Sequence, residues 1–158
     1  MILRLFYYEP ILTRRSISGI WDESEKSIRQ KKVSDMNNRV SLINSVINGI
    51  LISIHQNSYP GNASGLQIYY KDYESEELSH YLYSVFAERE GAVIRPCTRI
   101  PKDLYLFRKT NCPSVLLETG YLSSATDFSR LKTASYREWL ALAGAVGFIL
   151  YDHNGKGT

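Results

Sequence analysis

His55 and Glu118 are the residues whose types and positions could do chemistry. Each follows directly on an apolar run: His55 on residues 50–54, Glu118 on residues 114–117. A neutral imidazole and a carboxylate brought together can bind a metal and move a proton. In open α/β sheets such groups collect at the carboxyl ends of strands. Two parallel strands would therefore deliver both residues to one rim. Taken singly, each has an ordinary explanation. A lone His at a strand end is more often a hydrogen-bonded structural residue than a ligand, and a Glu after an apolar strand is often solvated or caps the next helix. A zinc site needs three protein ligands.

The elements that must position them can be read from periodicity and breakers. Residues 50–54 are β-branched and almost wholly apolar, as in a strand buried on both faces, and residues 114–117 form a second such run. Residues 66–70 read as a strand, residues 56–65 as a loop, and residues 104–107 as a short strand in a stretch broken by Pro96 and Pro101. A helix is expected over about 23–47, with Ile28, Met36, Val40, Ile43 and Ile47 near helical spacing, Asp22 as N-cap and Gly49 as stop. Further helices are expected over 75–90, 125–132 and 136–151, the last turning Leu140, Ala143, Val146 and Leu150 to the core. Residues 2–6 read as the last turn of a helix, Glu9-Pro10 as a break and residues 11–13 as a short strand. Strands alternating with helices predict an α/β domain of three layers, a mixed, mostly parallel, twisted sheet covered by helices on both faces.

Composition fits that reading. The chain has 158 residues, which suits one domain, residues 1–158, with a real core. Hydrophobic residues make up 44% and charged residues 22%, ordinary values that exclude disorder. The net charge of +3 is too mild to argue for nucleic acid. Lys and Arg alternate with Asp and Glu over residues 22–39, as on a solvated helix face. Cys97 and Cys112 lie in loop-like sequence outside any C-x-x-C pair, which excludes a zinc ribbon or thioredoxin motif and leaves a disulfide open. No apolar run is long enough to span a membrane. Residues 1–6 are too short for a signal-peptide core and are interrupted by Arg4, so at face value the polypeptide would stay in the cytoplasm. Oligomeric state is not legible.

Several segments in register resemble one family. Ile52-Ser53-Ile54-His55-Gln56-Asn57 resembles the S-I-H-x-N segment of the zinc-dependent N-acetylmuramoyl-L-alanine amidases of bacterial cell walls. Gly65-Leu66-Gln67-Ile68-Tyr69-Tyr70 is similar to the G-x-x-x-Y-Y strand that follows it. The run from Pro113 through Glu118-Thr119-Gly120-Tyr121-Leu122-Ser123 is similar to the P-x-V-L-x-E-x-G-[FY]-L-S-N signature, with Ser124 replacing Asn. Leu12-Thr13-Arg14, and Arg39 with Asn44, match upstream motifs. The resemblance covers residues 11–151, and the charged insert between Arg14 and Arg39 looks most like the branch acting on spore-cortex peptidoglycan.

The resemblance implies a role for each residue. In that family zinc is held by a His in a G-H-G turn, by a Glu on the first helix and by the His of S-I-H-x-N, while the Glu of the signature is the base. Carried over, His55 is a zinc ligand, Glu118 the catalytic base and Asn57 a substrate-positioning or loop-holding residue. Tyr59, Tyr69 and Tyr70 either line a sugar groove or pack. His80 reads as a helix residue and His153 as a tail residue, so one zinc ligand is retained and two have no counterpart. Met1 falls inside the family's first helix, and the first strand and helix are expected to be missing from an incomplete amidase catalytic domain. The implied partner is peptidoglycan and the family's workplace is outside the cytoplasm. The implied reaction is hydrolysis of the bond between N-acetylmuramic acid and L-alanine, impaired here. The alternative is a non-catalytic peptidoglycan-binding or regulatory remnant. A metal-free hydrolase finds no G-x-S-x-G elbow and no Cys–His pair to support it.

Overall fold

The computed structural model describes residues 2–101 and 103–155; Met1, which the resemblance places in the family's first helix, lies outside them. The elements run α1 (Ile2–Leu5), α2 (Ile28–Asn44), β1 (Leu51–Asn57), β2 (Gln67–Tyr70), α3 (Tyr73–Ala87), β3 (Thr98–Arg99), α4 (Tyr105–Lys109), β4 (Ser114–Tyr121), α5 (Ala125–Lys132) and α6 (Ala134–Asn154). The four strands form one sheet in the order β1-β4-β2-β3. β1 is parallel to β4 and β2 to β3, while β2 and β4 are antiparallel. This is the mixed, mostly parallel sheet expected.

One face of the sheet carries the core. Ile68, Val115 and Leu117 pack with Leu78, Leu82 and Phe86 of α3 and with Leu140, Ala143 and Tyr151 of α6. Each fully buried Leu or Phe contributes about 1.5–3 kcal/mol. α6 comes close to α3 because Gly147 has no side chain; a Cβ there would stand 2.9 Å from Leu82 Cα. Phe86 and Trp139 meet edge to face with ring centroids 5.5 Å apart. α3 starts cleanly: Asp72 accepts from Ser75 N at 3.1 Å, and Glu74 and Glu76 favour the positive end of the helix. The Ser75 hydroxyl in turn accepts from Ser114 N at 2.9 Å, pinning the start of β4 to α3. α2 lies toward the other face, where its Arg39 is close enough to His55 for the charge to be felt.

Several expectations need correcting. Both strands run past their apolar cores, so His55 and Glu118 lie within β1 and β4 rather than at their ends. The polar residues Gln56, Asn57 and Thr119 still extend the ladder. β1 is not buried on both faces: it is an edge strand, and Ile54 is 63% exposed. α2 begins at Ile28 because Ser27, not Asp22, caps it in a reciprocal box with Gln30, and it ends at the Ser45 cap, before Gly49. Asp22 instead accepts the hydroxyl of Ser34. Ile28 and Ile47 are exposed, so the apolar spacing did not mark a buried stripe.

Residues 105–107 belong to helix α4 rather than a strand, with Leu104 as its N-cap and the Leu106 carbonyl accepting from Thr110 N. Residues 11–13 form no strand; no neighbouring strand offers them a ladder. In α6 the core-facing set is Leu140, Ala143, Ala145, Gly147 and Tyr151, while Leu150 turns outward. His153 sits in the last turn of α6, which runs longer than periodicity suggested. Cys97 and Cys112 are free thiols. Tyr8 anchors the N-terminal segment to α6, donating to Asp152 at 2.7 Å and meeting the Phe148 ring edge-on.

The open flank of β1 has a physical consequence. Beside it lies a groove of about 450 Å³ lined chiefly by Ile54, Leu117, Leu122, Phe128, Leu131 and Leu140. An uncovered apolar edge strand is a template for pairing between chains. Ile54→Lys is expected to suppress concentration-dependent association in sedimentation velocity while changing stability by about 0.5 kcal/mol or less. Unchanged association would place the sticky surface elsewhere.

Candidate functional site

The pairing register brings the two predicted residues together. His55 and Glu118 are partners across the parallel β1–β4 pair, and Glu118 and Gln67 are partners across the antiparallel β4–β2 pair. Paired residues project from the same face of a sheet, so His55, Glu118 and Gln67 form a row across three strands. That face is opposite the one that carries Leu117 and Ile68 into the core. At about 4.8 Å between strands, the row spans about 10 Å.

Glu118 is half-buried, and its Oε2 is fully buried with no hydrogen-bond partner among the described residues. Burial pushes its carboxyl above the ordinary carboxylate range, because the charged form is poorly solvated. His55 is held below the ordinary imidazole value instead, first by desolvation and then by the Arg39 charge, which favours the neutral ring. Its Nε2 stands 3.0 Å from the Ser53 hydroxyl, two residues back on the same face. Such an outer partner fixes ring orientation and leaves Nδ1 as the second ring nitrogen. Arg39 is itself held by Asp35, with Nε 2.8 Å from Oδ2.

Asn57 ends β1. Its side chain accepts from Ser58 N at 2.8 Å, and its carbonyl accepts from Leu122 N at 2.7 Å. Both bonds hold the loop beyond the strand. Asn44 braces α2 against the approach to β4, donating to the Lys109 carbonyl and accepting from Asn111 N, each at 2.9 Å. Tyr69 lies on the site side and its hydroxyl donates to Gln67 Oε1 at 3.0 Å, whereas Tyr70 packs against the core. Burial raises the Tyr69 phenol, and the nearby Tyr121 and Glu118 add to this while Arg95 opposes it. Tyr59 is exposed on its loop. His80 is exposed on α3 and His153 on α6, and neither joins the row.

The turn after Glu118 is built around Asp127. Ser124 caps α5, accepting from Asp127 N, so Ser serves where the signature has Asn. The Asp127 carboxylate then accepts from Gly65 N at 2.8 Å and Tyr121 N at 3.0 Å. Gly120 permits this approach: its φ is +148, and a Cβ there would lie 3.2 Å from Asp127 Cβ. One side chain thus joins the start of β2, the end of β4 and α5. Asp127→Ala would orphan two backbone donors at a cost of roughly 2–4 kcal/mol, measurable as a lower urea midpoint. A midpoint unchanged from wild type would mean that water takes over both bonds.

Sequence reasoning missed Gln67 and Ser53 as site residues. The alternation Gln67-Ile68-Tyr69 did separate a polar face from an apolar one, but only the strand order sets that polar face beside Glu118.

An imidazole and a carboxylate with one unsatisfied buried oxygen thus stand side by side on a parallel strand pair. The family model for N-acetylmuramoyl-L-alanine amidases matches residues 3–149, and the chain belongs to that family. It is 30% identical over 144 residues to the germination-specific N-acetylmuramoyl-L-alanine amidase of Bacillus subtilis, covering 89% of this chain and 60% of that protein. The chain therefore spans about 60% of the length of that relative. It is 26% identical over 141 residues to the probable cell wall amidase LytH of Staphylococcus aureus, covering 88% of this chain and 47% of LytH. Among solved structures, the CwlD amidase of Clostridioides difficile, in complex with the GerS lipoprotein, superposes with a TM-score of 0.78 at 31% identity, covering 90% of this chain and 75% of that one. The expected likeness to the spore-cortex branch is borne out.

Proposed function

We propose that this domain hydrolyses the amide between N-acetylmuramic acid and L-alanine in peptidoglycan, working at the cell wall or spore cortex with zinc as cofactor. The observation that carries the reading is the in-register His55–Glu118 pair, with a buried carboxylate oxygen that no group among the described residues satisfies. The imidazole is a donor of the kind a zinc site uses, and the orphaned carboxylate oxygen beside it is free to act as a base. Among the described residues no group of three or more His, Cys, Asp or Glu side chains comes together.

His55 would hold the ion, with Ser53 orienting its ring. The chemistry that zinc supplies when bound is Lewis acidity toward the amide carbonyl and a lowered pKa for a water. Glu118 accepts a proton from the attacking water. The water oxygen joins the lactyl carbonyl carbon, the C–N bond breaks, and the proton passes from Glu118 to the departing alanine nitrogen. A carboxyl raised by burial suits both transfers, since it holds the proton firmly enough to take it and loosely enough to give it up. Asn57 shapes the loop beside the pair.

The test is digestion of purified peptidoglycan with the zinc-supplemented protein. The expected product is new N-terminal L-alanine with no new reducing sugar ends. Absence of N-terminal alanine would sink the hydrolytic reading. The sparse donor set favours one alternative, a peptidoglycan-binding or regulatory remnant. It predicts that the protein sediments with sacculi and releases nothing.

A further inference from the structure

We infer that Gln67 is a substrate-positioning residue, its side-chain amide donating to a carbonyl oxygen of the muramoyl-peptide laid across the His55–Glu118–Gln67 row. This rests on the amidase reading and adds a third functional group to it. Gln67 is the in-register neighbour of Glu118 on the side away from His55. A substrate amide attacked between His55 and Glu118 must extend over one of the flanking strands, and β4 is flanked by β1 and β2.

The Gln67 amide is prepared for a carbonyl. Its Oε1 already accepts the Tyr69 hydroxyl at 3.0 Å, which fixes the orientation of the group. No protein acceptor among the described residues takes its two N–H donors, and they are not sealed from solvent, because the buried unpartnered side-chain atom there is Glu118 Oε2. A neutral donor also suits the place. A carboxylate at position 67 would face Glu118 across about 5 Å and repel it, whereas an amide offers hydrogen without charge. Tyr69 acts through Gln67 as a latch. It lies in the surroundings of Glu118, Tyr121 and Arg95, and Arg95 Nη1 donates to the Tyr121 hydroxyl at 2.8 Å, closing that side of the row.

The experiment is an NMR titration of N-acetylmuramoyl-L-alanine into the 158-residue protein, run in the presence of a chelator and again with zinc. Gln67→Met keeps the length and volume of the side chain and removes both donors. It is expected to weaken binding about fivefold under both conditions. Tyr69→Phe, which frees the amide to rotate, should weaken it about twofold, and Gln67→Glu should weaken it more than Met does. Urea midpoints matching wild type separate lost contact from lost folding. Gln67→Met and Gln67→Glu binding as tightly as wild type would overturn the assignment and leave the amidase reading intact. A wild-type protein that neither binds nor cleaves the probe would overturn both.

Discussion

Glu118→Gln is expected to lower peptidoglycan hydrolysis on the order of 10³-fold while making the protein more stable at neutral pH. The two effects have one origin. Glu118 is half-buried with an orphaned oxygen, so burial raises its carboxyl above the ordinary carboxylate range. A group whose folded pKa is raised contributes stability that is fully present below its unfolded pKa, near pH 4.3. That stability is lost as pH rises through the folded value. At pH 7 the ionised Glu118 therefore destabilises the fold, and a neutral amide does not. The variant should melt roughly 1–2 °C above wild type at pH 7, with the gap closing as the pH falls below the carboxylate range. Wild-type activity should rise with pH through the raised Glu118 value, because the base must be ionised to accept a proton. Thermal melts at pH 4 and 7 beside an N-terminal alanine assay check all three points. A variant that loses activity and also melts lower at pH 7 would make Glu118 a structural residue.

How much of this was legible in the sequence depends on the range of the interaction. Local signals carried well. The helix over residues 125–132 and its Ser124 cap follow from side chains two or three positions apart, and the apolar runs of β1 and β4 from composition alone. His55 and Glu118 were found because each adjoins such a run, and their parallel pairing follows from α/β logic. What failed was non-local. Nothing in residues 50–54 says whether a strand will lie on both sides of them, so the exposure of Ile54 was invisible. Residues 104–107 have strand-like composition, yet 105–107 fold as helix because the Leu106 carbonyl meets Thr110 N and the sheet offers them no partner. Gln67 was passed over because its importance depends on β2 lying antiparallel beside β4, a fact of topology. Ser53 is the one polar residue in the run 50–54, and only the folded strand sets its hydroxyl 3.0 Å from His55 Nε2.

The imidazole yields the second large effect. The 158-residue chain is expected to bind zinc weakly, with affinity falling in steps as the His55 unit is dismantled. Structural and catalytic zinc sites draw on three or four protein donors, and among the described residues no group of three or more His, Cys, Asp or Glu side chains comes together. Ser53→Ala removes the outer contact that orients the ring, a class of change that costs about 10–100-fold in metal affinity. His55→Ala removes the nitrogen itself and should exceed that loss, abolishing measurable binding in a competition titration against a chromogenic chelator. The order of the two variants carries the meaning. If Ser53→Ala matched wild type while His55→Ala lost the ion, Nε2 would be the coordinating atom and the serine contact would be given up on binding. If His55→Ala bound zinc as well as wild type, the ion would belong elsewhere on the protein, and the pairing of His55 with Glu118 would lose its chemical rationale. If instead the wild-type chain retained one equivalent of zinc through dialysis against chelator, donors beyond the His55–Glu118 pair would have to converge on it. The expected low affinity rests on His55 being the one imidazole in the row that β1, β4 and β2 form, among the described residues.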